Sequence, residues 1–156
     1  METKYDYTTR EVLVEMMIWA MKSNKAKVGG EILNCTDASV FSHKELFQRV
    51  AEYYHMEFEQ ADPTQKQPIN ICEFIQSENS KASWLELREK FHLENAPEFP
   101  KDVSSWELFS LIISIEYDIY SSMDKAAALG FEKKSNSLDT MIKYFDQMVA
   151  KSMIPI

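Results

Sequence analysis

Three glycines punctuate the 156 residues, at Gly29, Gly30 and Gly130. That scarcity constrains the chain more than any other feature. A nucleotide site of the usual kind needs glycines where backbone closes on phosphate, in a strand–turn–helix unit. Neither GxGxxG nor GxxxxGK followed by Ser or Thr can be built from these three positions. Gly29 and Gly30 follow an expected helix and Gly130 ends one, so all three read as chain-reversing caps.

Capping boxes supply the punctuation that glycine does not. Thr8/Glu11, Ser42/Glu45, Ser83/Glu86 and Ser104/Glu107 each place a hydroxyl three residues before a carboxylate, and each leads into an apolar pattern. The first helix is expected from about Thr9 to Ser23. Val12, Leu13, Met16, Met17, Ile18, Trp19 and Ala20 leave it little polar face, which predicts deep burial. A second helix runs from Ser42 to His55, with Leu46, Phe47, Val50, Ala51 and Tyr54 on one side. Trp84, Leu85, Leu87 and Phe91 mark another. The helix from Ser105 to about Tyr117 turns Trp106, Phe109, Ile112 and Ile113 to the core. The final helix is the most periodic, with Leu138, Met141, Ile142, Phe145, Met148 and Val149 in register. Between helices, "EILNCT" suits a strand and "MEFEQ" alternates like an exposed one, with Met56 and Phe58 on one face. "ADPTQKQP" and the Pro97–Pro100 stretch read as loops. The expected fold is α+β and mostly α, with about five or six helices and a small sheet of short strands. Residues 1–156 are read as a single domain, long enough to bury roughly 70% of their unfolded surface.

Charge and composition exclude some partners. The formal net charge of -8 argues against nucleic acid and anionic membranes, which are bound through cationic side chains. Glu15 interrupts the apolar stretch of the first helix, so that stretch reads neither as a signal peptide nor as a membrane span. Cys35 and Cys72 form no CxxC pair and read as reduced thiols of a cytoplasmic protein. Catalytic clusters do not emerge. "EYYH" gives Glu52 and His55 the Glu-x-x-His spacing of di-iron bundles, but no second copy exists to complete such a site. No GxSxG elbow exposes a serine, and both cysteines sit among apolar neighbours. "LELREKFHLE" alternates charge as a solvated helix face does. Tyr117 and Tyr120 leave a helix near Ser121–Ser122, where an apolar cleft would have room to form.

The tail carries a resemblance. Ile18-Trp19-Ala20, Asn34, Thr36, Val40-Phe41 and Lys44 recur in order with Ser122-Met123-Asp124-Lys125, Gly130-Phe131 and Ile154-Pro155. From about Thr8 to Ile156 the chain resembles the C-terminal, substrate-side part of extended short-chain dehydrogenases/reductases, a group that includes NAD-dependent epimerases/dehydratases. The likeness is in particular to enone reductases of the progesterone 5β-reductase/iridoid synthase type. Asp37-Ala38-Ser39 stands where the family usually has Asn-Gly-Asp, and His43 and Phe47 stand where tryptophans are common. The resemblance implies NADPH and an enone or similar carbonyl substrate for a complete member. It also implies a glycine-motif domain with a catalytic tyrosine, preceding everything seen here. Neither nucleotide nor catalytic residue maps onto these 156 positions, so this chain is expected to bind no cofactor and not to be catalytic alone.

Two classes of function stay open: the substrate-side domain of a reductase, or a free-standing module that binds a protein or a small apolar ligand. In the first, Tyr117, Tyr120 and Met123 are the candidate substrate-facing residues. In both, strand edges and the apolar side of "VLVEMMIWAM" need cover. Met16, Met17 and Trp19 are therefore the candidate interface, toward a second copy or a separate nucleotide-binding partner. The alternative is that later helices of the same chain cover that face.

Overall fold

A computed structural model describes residues 3–60, 70–97, 99 and 104–156, the side chains of residues 104 and 105 excepted. In chain order the elements are β1 (Lys4–Asp6), α1 (Arg10–Lys22), α2 (Lys25–Val28), β2 (Val40–Ser42), α3 (His43–Tyr53), α4 (Ile71–Gln76), α5 (Glu78–Lys90), α6 (Ser104–Ile113), α7 (Asp124–Ala128) and α8 (Ser137–Val149). The α+β, mostly α class is as expected. Among the described residues there are eight helices rather than five or six, because α2 and α7 are single short turns and α4 precedes α5 as a helix of its own. The loop expected over 61–68 lies outside the described residues, as does Pro100.

The chain divides into two compact units, Met1–Val50 with Glu116–Ile142, and Ala51–Ile115 with Lys143–Ile156. In the first unit, β1 and β2 pair antiparallel, with Tyr5 opposite Phe41. Both of those side chains are buried. Ile119 bridges Tyr5 in parallel from the other side, its N–H donating to the Lys4 carbonyl at 2.8 Å. The core lies beside this ribbon: Val12 and Met16 of α1 meet Ala126 and Phe131, with Trp19, Leu33, Cys35 and Met123 packed around them.

Asp37 ties this unit together. It is fully buried. Its Oδ1 accepts from the Thr9 N–H and the Thr9 hydroxyl, both at 2.8 Å, and its Oδ2 accepts from the Ser137 hydroxyl at 2.9 Å. Its backbone N–H donates to the Tyr7 carbonyl and its carbonyl accepts from the Ser135 N–H. One residue thus caps α1 and anchors the start of α8. This arrangement corrects the Thr8/Glu11 capping box. Thr9 is the N-cap and makes no side-chain cap bond of its own, while the Thr8 hydroxyl donates to the Cys35 carbonyl. A carboxylate 28 positions away has taken over the role.

The other boxes divide. Ser42 and Glu45 close reciprocally: the Ser42 N–H and hydroxyl donate to Glu45 Oε2, and the Glu45 N–H donates to Ser42 Oγ. Those bonds to the charged form hold the Glu45 carboxyl below its ordinary value. Ser83 lies inside α5, whose N-cap is Ser77, so that box is not used. For the fourth, α6 starts at Ser104, one residue before the expected Ser105, and ends at Ile113 rather than near Tyr117.

Neither expected strand forms. Residues 31–36 and 56–60 carry no ladder; the strands are Lys4–Asp6 and Val40–Ser42. Alternation alone satisfies one face of a strand, whereas a ladder needs a second chain segment at its edge. The expected deep burial of α1 is also corrected: Val12 and Met16 are buried, while Leu13, Val14, Met17 and Met21 stand in solvent.

Gly130 behaves as the sequence predicts. Its φ is +100°, its N–H donates to the Ala127 carbonyl, and the Phe131 N–H donates to the Ala126 carbonyl, which is the Schellman pairing. Phe131 folds back into the core with Ala126. In the second unit α4 packs on both α5 and α6. Tyr53, Tyr54 and Phe145 form a ring cluster, with the Tyr53 hydroxyl on Asp146.

Replacing Asp37 by Ala leaves a buried N–H and two hydroxyls without their acceptor, and is expected to cost about 3 kcal/mol in urea unfolding. Asp37→Asn should cost only about 1 kcal/mol, because the Ser137 hydroxyl can turn to accept from the amide. A similar loss for both would refute the hydrogen-bond account.

Two positive-φ sites should respond with opposite sign. A side chain at Gly130 would meet only Lys27 Nζ at 3.7 Å, so Gly130→Ala costs backbone strain alone, about 1 kcal/mol. Ala38 already holds φ +54°, so Ala38→Gly should stabilise by about 0.5 kcal/mol. Thermal melts of the two variants check both signs.

His43 opens α3 and stacks on the Tyr5 ring with centroids 4.2 Å apart. Burial lowers its pKa from the ordinary 6.5. The unfolded chain therefore takes up the proton first, and stability falls as pH drops below about 6.5. The Glu45 contribution lies lower, being lost only as pH falls through the carboxylate range. His43→Phe should flatten the urea midpoint between pH 7.5 and 5.5, and an unchanged slope would place the titration elsewhere.

Candidate functional site: the outer face of the first helix and an unpaired segment

Helix α1 presents two separate apolar stripes. Successive residues turn by about 100°, so Val12, Met16 and Trp19 fall on one line and Leu13, Met17 and Met21 on another. The first line enters the core. The second is open: Leu13 is 46% exposed, Val14 47%, Met17 56% and Met21 77%. A helix apolar on two sides is suited to lie between two layers, and among the described residues of this unit one side of α1 is covered.

The segment 31–36 shows the same incompleteness in its backbone. Leu33 and Cys35 pack on the core, while Asn34 points outward and Ile32 is 87% exposed. Side-chain bonds hold the segment in place: Lys125 Nζ donates to the Ile32 carbonyl, Asn34 Nδ2 to the Ser122 carbonyl, and the Thr36 N–H to Met123 Sδ at 3.2 Å. Among the described residues, the N–H groups of Ile32, Leu33, Asn34 and Cys35 donate to no other backbone. This is one side of a strand, seated on its core face and open along its edge.

The predicted interface residues do not share a face. Met17 stands on the outer stripe, whereas Met16 and Trp19 turn into the core, Trp19 against the Phe131 ring at 5.4 Å. Leu13, Val14, Met21 and Ile32 are the outer residues that reading passed over. The spacing of 13, 17 and 21 at one turn each was the signal that could have separated the two lines.

The proposed substrate-facing residues separate likewise. Tyr117 and Tyr120 are surface residues, 68% and 57% exposed, flanking the Ile119 bridge. Met123 is half-buried and packs on the core.

Among the described residues the ionisable groups gather into no metal-binding cluster. Burial pushes the Cys35 thiol above its ordinary value and the Asp37 carboxylate adds in the same direction, so Cys35 is a poor nucleophile at neutral pH. Among the described residues no three His, Cys, Asp or Glu side chains are placed to share a metal ion. No helix among them is long and apolar enough to cross a membrane.

No protein-family model matches the chain. Over nearly its whole length, however, it resembles part of an extended short-chain dehydrogenase/reductase, as the motifs of its tail imply. It is 27% identical over 150 residues to the (S)-8-oxocitronellyl enol synthase of Catharanthus roseus, covering 96% of this chain and 37% of that enzyme. It is 25% identical over 148 residues to the 3-oxo-Δ4,5-steroid 5β-reductase of Arabidopsis thaliana, covering 93% of this chain and 35% of that enzyme. The chain therefore spans little more than a third of these relatives.

If the outer stripe plays no part in this unit's own packing, Met17→Glu should change unfolding free energy by no more than about 0.5 kcal/mol. Met16→Ala, one position back on the core side, should cost about 2–3 kcal/mol. Equal losses in a urea titration would show that both stripes serve the fold.

Proposed function

We propose that residues 1–156 form the substrate-side portion of an NAD(P)H-dependent reductase acting on an apolar carbonyl compound, and that nucleotide is held by a unit outside these residues. The observation that carries this reading is the coincidence of two partial matches. The chain resembles its relatives over 96% of itself and 37% of the enzyme, and its first unit leaves a helix face and a strand edge open. A nucleotide-binding unit with a sheet would lie over Leu13, Met17 and Met21 and pair with residues 31–36, completing both at once. On this reading Tyr117 and Tyr120 are the side chains nearest the substrate. The two free cysteines fit a cytoplasmic setting. The chain alone supplies neither nucleotide nor catalysis: three glycines and no glycine-rich turn leave no cradle for a pyrophosphate.

Three measurements on the 156-residue chain test this. Titration with NADPH, followed by nucleotide fluorescence, should show no saturable binding in the micromolar range; saturation there would overturn the division of labour. Hydrogen exchange should find the Ile32–Cys35 amides fast, since among the described residues they donate to no backbone acceptor. Slow exchange at low micromolar protein would mean the edge is already covered. Sedimentation at the same concentration then tells whether a second copy covers it.

A further inference from the structure

We draw no further inference here: the strongest candidate, the outward apolar face of α6 at Leu108 and Leu111 in the helical layer that α6 forms with α4, carries nothing because nothing in the structure shows what covers it.

Discussion

The Asp37 carboxylate is the constraint on which the first unit depends. Each of its oxygens accepts a bond from a different part of the chain, and its own backbone N–H and carbonyl reach Tyr7 and Ser135. A buried carboxylate is costly unless fully bonded, so the three segments cannot separate without exposing or orphaning it. The placement of α1 follows from that. With the helix start fixed by Thr9, the line of Val12, Met16 and Trp19 must face Ala126 and Phe131, and the line of Leu13, Met17 and Met21 must face away.

The Schellman turn at Gly130 closes the same core from the other side. Because Phe131 returns over Ala126, the short helix α7 ends where its one buried alanine meets α1's inner stripe. Asp37 and Gly130 together therefore fix the core without recruiting α1's second side. The exposed methionines and leucine are a consequence of that geometry rather than of loose packing: the inner stripe is closed, and the outer one is separate from it.

What could be read from the residues was local. Gly130's positive φ and the Ser42/Glu45 box arise from interactions within four or five positions, and each stands where the pattern placed it, while the periodic residues Leu138 to Val149 lie within α8. What failed was non-local. Nothing in Thr8-x-x-Glu11 says that a carboxylate 28 residues on will cap the helix instead. "EILNCT" has the alternation of a strand and keeps its inner residues inside, but a ladder depends on a neighbour that local pattern cannot supply. For α1, a count of apolar residues suggested full burial, and only their separation into two lines distinguishes a buried helix from one that shows a second face. For that same reason the three residues named together for an interface separate in the structure, Met17 into solvent and Met16 and Trp19 toward the core.

An open apolar stripe and a strand-like segment with free amides each ordinarily favour association. The chain carries two opposing features. Its net charge of -8 repels like copies at long range, a force that acts between identical chains and not toward a neutral or basic surface. Lys125 also holds the Ile32 carbonyl, and its ammonium pairs with Glu31 at 2.8 Å. That places charge at the beginning of the edge, where a strand from a second copy would have to enter. Charge at an edge is how sheets discourage pairing with themselves while leaving a shaped partner able to dock. The charges of Glu31 and Lys125 thus oppose the pairing of two identical edges.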